Sequence, residues 1–94
     1  MEIEWLGRAE RDLDLAIDYI LANDAAAAMR VYRTIRFTVE RLGPHPEIGR
    51  VGRVSGTREL VVPRLPYVVA YRIHESRVQI LRVLHTSRRW PERL

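Results

Sequence analysis

The sequence of 94 residues contains no cysteine and no lysine. The lack of cysteine excludes disulfide bonds, thiolate zinc sites and cysteine nucleophiles together. No apolar run reaches the roughly 18 residues that a membrane-spanning helix needs. The first residues, Met1–Glu4, also lack the basic and apolar regions of a secretory signal. We therefore expect a cytoplasmic protein that does not enter a membrane.

The rest of the composition is that of one small globular domain. Hydrophobic residues make up 47% of the chain and charged residues 30%, which is too apolar for a disordered protein. Domains usually contain about 50 to 250 residues. We therefore expect residues 1–94 to form a single domain with one core.

Positive charge comes from arginine alone and is concentrated in the second half. Residues 43–94 hold ten arginines against four acids, a net charge of +6, whereas residues 1–42 hold six against eight, a net charge of −2. Arginine binds carboxylates and phosphates bidentately, although a GC-rich coding sequence would produce the same bias. The basic half suggests an anionic partner, which could be a nucleic acid, a membrane surface or an acidic protein segment.

The first half has the periodicity of two helices. Apolar residues recur at helical spacing from Arg8 to Leu21 and again from Ala25 to Leu42. Asn23 and Asp24 interrupt the pattern, and Asp24 can cap the second helix. The short link predicts an antiparallel helical hairpin over about residues 8–42, preceded by a brief strand at Ile3–Trp5.

The second half has the period of β-strands. Glycine and proline predict a loop over residues 43–56. A sheet over residues 57–86 follows, and then a basic tail, residues 87–94. The predicted strands are Thr57–Val62, Tyr67–His74 and Arg77–His85. The order β-α-α-β-β-β predicts an α+β fold in which the helical hairpin packs on one face of an antiparallel sheet.

Alternation in the last two strands suggests which sheet face is left open. If Glu75 and Ser76 form a two-residue loop, the face away from the helices has an apolar centre and cationic margins. The centre consists of Val68, Ala70, Leu81 and Val83, and the margins include Arg72, Arg77 and His85. An exposed apolar area rimmed by charge is typical of a partner site. Alternatively, the tail could fold back over this face with Trp90 as a plug.

No motif in the sequence indicates a metal, a cofactor or a nucleophile. The three histidines have no metal-ligand spacing, and there is no nucleophile elbow, Walker loop or dinucleotide fingerprint. His85 could be catalytic or structural. The run Arg88–Trp90 could grip phosphate or stack on a base, or it could be a solvated terminus.

Three segments and their order, with the helical hairpin before them, carry a family resemblance. The segments are Gly56–Val62, Pro66–Ile73 and Val78–His85. With them, the whole chain resembles the ParE/RelE superfamily of type II toxins, and the last two strands with the basic tail resemble the ParE branch. The resemblance implies a RelE/ParE-like fold and a role in plasmid stabilisation and growth inhibition.

Two activities are implied by this resemblance. RelE-type members are ribosome-dependent mRNA endoribonucleases that use basic residues on the open sheet face, whereas ParE-type members are described as inhibitors of DNA gyrase without a catalytic site. In an ungapped alignment on Tyr71, the positions of two lysines and an arginine in RelE hold Glu59, Val61 and Val68 here. Because cations at that centre stabilise charge on the phosphoryl group, their loss favours gyrase inhibition.

The resemblance also implies a ParD-like antitoxin and a toxin–antitoxin complex that is a heterotetramer or larger. We expect an acidic amphipathic antitoxin helix on the open face. The predicted antitoxin contacts are Val61, Val68, Ala70, Arg72, Arg77, Leu81 and Val83. Arg88, Arg89 and Trp90 are candidate gyrase contacts, and no sequence-specific DNA binding by this chain is expected.

Two alternatives to gyrase inhibition remain open. One is a RelE-type endoribonuclease that uses His85, Arg82 and Arg88. The other is a degenerate member that is inert alone and is retained as a binding module.

Overall fold

Two helices pack on one side of a five-stranded sheet in the computed structural model, which describes residues 1–94. The elements are β1 Glu2–Trp5, α1 Gly7–Leu21, α2 Ala25–Glu40, β2 Arg50–Val51, β3 Arg58–Val61, β4 Tyr67–His74 and β5 Arg77–His85. The helical hairpin and the three long strands of the prediction are all present. Neither helix is long and apolar enough to cross a membrane.

The hairpin follows from the predicted cap and apolar stripes. The Asp24 carboxylate accepts a hydrogen bond from the Ala27 N–H at 3.0 Å, which satisfies one of the free donors at the start of α2. Leu13 of α1 and Ile35 and Val39 of α2 are completely buried against the sheet. The hairpin therefore covers the face that carries Val69, Tyr71 and Ile80.

The sheet is mixed rather than antiparallel. Its strand order is β1-β5-β4-β3-β2, and β1 runs parallel to β5, with Ile3 opposite Val78. The strand β2 lies inside the predicted loop and pairs antiparallel with β3. The two-residue β2 is too short to show alternation, and alternation does not give the direction of a strand, so the sequence reveals neither the existence of β2 nor the direction of β1.

A β-bulge at Leu81 changes the register of the last hairpin. The predicted pairing holds from His74 opposite Arg77 to Tyr71 opposite Ile80, but Ala70 pairs with Arg82, so Leu81 is an extra residue. One extra residue moves the side chains that follow to the other face. The prediction that placed Val83 and His85 on the open face is therefore wrong.

The shift also corrects two further placements in β5. Val83 pairs with Val69 in the core and is 5% exposed, and His85 pairs with Tyr67. Arg82 and Leu84, predicted to lie under the helices, instead pair with Ala70 and Val68. Arg82, the one charged residue on the face predicted to lie under the helices, is therefore not on that face.

The loop before β3 is fastened by a buried tyrosine. The Tyr71 hydroxyl donates to the Pro46 carbonyl at 2.7 Å and accepts from the Gly49 N–H at 2.9 Å. Burial raises the pKa of Tyr71, and the Gly49 hydrogen bond partly opposes that rise, so the hydroxyl keeps its proton and can donate. A Cβ at Gly49 would lie 2.6 Å from the Tyr71 ring, so only glycine fits there.

Replacing Tyr71 by phenylalanine should lower the free energy of unfolding by about 1 to 3 kcal/mol, because the buried Gly49 N–H would lose its acceptor. Urea unfolding followed by circular dichroism measures this difference. Tyr19→Phe is the matched control, since Tyr19 is 79% exposed. Equal losses in the two variants would contradict this role for the Tyr71 hydroxyl.

Candidate binding surfaces

The basic tail folds over the sheet face opposite the helices. Val68 and Ala70 are 3% and 0% exposed, although neither belongs to the core beneath the helices. The Arg53 guanidinium lies 4.0 Å from the centroid of the Trp90 ring. The Arg53 N–H donates to Glu59, the cross-strand neighbour of Ala70. These contacts place Trp90 on that face, as in the alternative in which the tail is a plug.

The tail is held at a second point near its end. Arg8, in the first turn of α1, donates from Nη1 to the Leu94 carbonyl at 3.0 Å. Arg88 and Arg89, which precede both anchors in the chain, remain exposed. Trp90 is half-buried, and its indole N–H is completely buried without an acceptor. Of the three predicted gyrase contacts, only the two arginines therefore present a polar group to solvent.

Glu59 is buried beneath this tail and has several donors. Its Oε1 accepts from Nη2 and Nε of Arg50 at 3.0 and 3.2 Å, and its Oε2 accepts from the Arg53 N–H at 2.8 Å. The Arg53 Nε lies 3.8 Å from the same carboxylate. A buried carboxylate needs this compensation. Arg50 and Arg53 are thus committed to a protein carboxylate, not to an incoming phosphate.

The seven predicted antitoxin contacts do not form one accessible surface. Val68, Ala70 and Val83 are buried, Leu81 is partly buried, and Val61, Arg72 and Arg77 are exposed. The Arg72 Nε donates to Gln79 at 2.7 Å, and Arg77 lies 3.7 Å from Glu2 and 4.0 Å from Glu4. The bulge removes Val83 from the predicted surface, and the folded-back tail explains the burial of Ala70.

Arg82 is committed to an ion pair with α1. Its Nε and Nη2 donate to the two carboxylate oxygens of Asp12 at 2.7 and 3.0 Å, and Asp12 also accepts the Val83 N–H at 2.9 Å. Donating to the Asp12 carboxylate raises the pKa of Arg82 above its usual value. Since the carboxylate neutralises this charge, Arg82 is poorly placed to stabilise an external anion.

His85, Tyr67 and Arg88 do come together. The rings of His85 and Tyr67 meet edge to face with centroids 5.2 Å apart, and the Ser87 N–H donates to His85 Nδ1 at 3.1 Å. Burial raises the pKa of Tyr67, and the nearby charge of Arg88 partly opposes this. No group of three or more histidine, aspartate or glutamate side chains is arranged to hold a metal ion.

These residues lie at one end of a groove of about 610 Å³ between α1, the end of β5 and the tail. We call it the α1–β5 groove. Leu15 and Tyr19 of α1 line it while 63% and 79% exposed, and Arg88 and Arg89 add positive charge. Leu15 and Tyr19 are an apolar i, i+4 pair outside the core stripe of α1, and this spacing is the signal in the sequence that points to the groove.

The comparisons with known proteins decide the family. A family model for the ParE toxin of type II toxin–antitoxin systems, parDE, matches residues 3–90. The chain belongs to the ParE toxin family. A chain of the chromosomal ParDE TA system from P. aeruginosa has the same fold as this ParE-family member. The TM-score is 0.77 at 27% identity, covering 93% of this chain and 97% of that one.

Relatives named for both branches of the superfamily are similar to this ParE-family chain. Y4kP of Sinorhizobium fredii, a protein named as a toxin, is 44% identical over 96% of this chain and 93% of its own length. Toxin RelE2 of Caulobacter vibrioides is 32% identical over 93% of this chain and 97% of its own. Membership in the toxin family is therefore clear, and the choice between the two activities rests on the site.

The tail should loosen when Glu59 loses its charge. In Glu59→Gln, we expect faster hydrogen exchange at the Arg53 N–H and a free energy of unfolding lower by about 1 to 3 kcal/mol, since charged hydrogen bonds to a buried group are lost. Exchange measured by NMR tests this. Glu75→Gln, at an exposed hairpin turn, is the control. Unchanged protection of the Arg53 N–H would show that Glu59 does not hold the loop on which Trp90 of the tail packs.

Proposed function

We propose that this ParE-family toxin binds and inhibits DNA gyrase, and so blocks replication, without catalysing a reaction of its own. The observation that carries the proposal is the ion-pair cluster of Glu59 with Arg50 and Arg53 on the tail-covered face. An RNA-cleaving relative needs free cations on that face. Here the aligned positions hold a buried carboxylate and two valines, Val61 and Val68.

The energetics of phosphoryl chemistry support this proposal. Cleavage through the 2′-hydroxyl develops negative charge on phosphoryl oxygens, and losing a single stabilising donor commonly costs about 3 to 4 kcal/mol of barrier. Glu59 would repel the phosphate, and Arg82 is already neutralised by Asp12. A protein without that stabilisation can still act by occupying a surface of its target. This target would place the toxin in the cytoplasm.

One observation favours the second candidate, a ribosome-dependent mRNA endoribonuclease. Tyr67, His85 and Arg88 line one end of the α1–β5 groove, and relatives named RelE are more than 30% identical to this chain. Such a group offers a histidine for proton transfer and one unpaired arginine for charge. It lacks the further cations that RelE has at the positions of Glu59, Val61 and Val68, so we rank this candidate below gyrase inhibition.

We also propose that a ParD-like antitoxin neutralises the toxin by laying an acidic amphipathic segment in the α1–β5 groove, within a heterotetramer or larger complex. The groove supplies apolar contact through Leu15 and Tyr19, and its cationic end supplies Arg88 and Arg89. Helix-in-groove recognition uses this combination. This site replaces the predicted sheet face, of whose seven residues only Val83 lines the groove.

The proposed activity predicts that purified toxin inhibits supercoiling by purified gyrase. His85→Gln should inhibit as well as the wild type, because a binding inhibitor does not need a proton-transfer group. Undiminished supercoiling at saturating toxin would contradict the proposal. Cleavage of translated mRNA in the ribosomal A site, detected by primer extension and abolished in His85→Gln, would establish the second candidate instead.

The antitoxin site predicts that Leu15→Glu and Tyr19→Glu each weaken antitoxin binding by about tenfold or more, since a carboxylate would replace apolar contact. Calorimetric titration with the protein encoded by the adjacent reading frame measures the affinity. Val51→Glu is the control, because Val51 is 82% exposed but lies outside the groove and on neither helix. Equal affinities for the groove variants and the wild type would exclude this site.

A further inference from the structure

The solvent side of α2 carries a stripe of four residues that the structure leaves without partners. We define the α2 stripe as Arg30, Arg33 and Phe37 of α2 together with Arg41, the residue that caps the end of this helix. Steps of three and four residues place all four on one side of the helix, opposite the core residues Ile35 and Val39. The stripe extends for about 16 Å at 1.5 Å per residue.

The three arginines of the α2 stripe make no ion pair and no side-chain hydrogen bond. Many other arginines of the chain do have side-chain partners, and one of them lies on the same helix. Arg36 pairs with Glu10 at 3.2 Å and stacks 4.3 Å from the centroid of the Trp5 ring. Glu40, at the margin of the stripe, pairs with none of the three arginines. Their positive charge is therefore free to meet an external anion.

Phe37 distinguishes this stripe from an ordinary solvated helix face. It is the only phenylalanine in the chain and is 71% exposed, and Met29 nearby on α2 is 46% exposed. Solubility explains exposed arginines but not an exposed aromatic ring between them. Arginine and aromatic residues, phenylalanine among them, are enriched in protein–protein interfaces relative to the rest of the surface.

The chemistry of the α2 stripe selects its partner. A nucleic acid backbone offers phosphates for the arginines but little apolar surface for Phe37. An acidic amphipathic protein segment offers both carboxylates and an apolar face, and its charge complements that of the stripe. No stripe residue lines the α1–β5 groove, so this is a separate surface.

We propose that the α2 stripe is the surface on which this toxin takes an acidic amphipathic segment of its target protein. This rests on the proposed function, since an inhibitor without catalysis needs a dedicated contact surface. The complementary charge would also raise the rate of encounter, and that rate would fall with salt.

The test compares Arg33→Glu and Phe37→Ser with the wild type and with Arg11→Glu. Arg11 is an exposed, unpaired arginine on α1 outside both surfaces, so Arg11→Glu makes the same charge change elsewhere on the hairpin. We expect both stripe variants to need about tenfold or more protein than the wild type to inhibit gyrase supercoiling. Arg11→Glu should inhibit like the wild type. Circular dichroism and antitoxin affinity, measured in parallel, confirm that each variant is folded.

Supercoiling inhibition by both stripe variants at wild-type concentrations would overturn the inference. If the wild type itself leaves supercoiling unaffected, the proposed function fails, and growth arrest without antitoxin then tests the stripe. If both stripe variants lose growth arrest, the stripe docks on another target protein. If both variants still arrest growth, the inference is overturned. A third outcome is that Arg33→Glu alone loses supercoiling inhibition or growth arrest and also binds a 20-base-pair DNA duplex more weakly. That outcome would assign the stripe to nucleic acid and overturn the inference.

Discussion

The buried carboxylate of Glu59 is the constraint on which the rest of this structure depends. A carboxylate that is almost completely removed from water must be paired and hydrogen-bonded. Glu59 meets this need with Arg50 from β2 and with the N–H of Arg53, and the Arg53 side chain in turn stacks on Trp90. One acid on β3 thus connects the strand β2, the loop after it and, through Arg53 and Trp90, the tail.

The same ion-pair cluster explains why one sheet face presents neither free cations at Glu59 nor an open apolar centre. Its cations are used internally, which removes them from phosphate chemistry, and its tail anchor covers Ala70, which removes the apolar centre from partner binding. The bulge at Leu81 acts in the same direction, because it turns Val83 into the core. The accessible apolar surface is instead at the edge of the sheet, where β1 ends and α1 crosses β5.

Features set by local periodicity could be predicted from the sequence, and features set by single contacts could not. The helical hairpin followed from repeated apolar spacing and from Asp24, and three strands followed from alternation. The bulge has no signature, because Leu81 fits an unbulged strand equally well. Glu59 looks like an ordinary polar position on a strand until its distant partners are known. In the sequence, Leu15 and Tyr19 are an apolar pair outside the main apolar stripe of α1. The prediction assigned that stripe to the core and gave this pair no role.

The distribution of arginine connects the fold to its function. A net charge of +4 predicts an anionic partner but says nothing about where it binds. In the structure, Arg36, Arg50 and Arg82 pair with Glu10, Glu59 and Asp12, and each of these pairs joins two different elements of the fold. Five of the unpaired arginines form two groups: Arg88 and Arg89 lie beside the α1–β5 groove, and Arg30, Arg33 and Arg41 lie along the α2 stripe. These two groups lie next to exposed apolar side chains, so each combines free positive charge with apolar contact, whereas Arg11, Arg64 and Arg93 are unpaired elsewhere. This coincidence favours acidic amphipathic protein segments over bare phosphate as the ligands of this toxin.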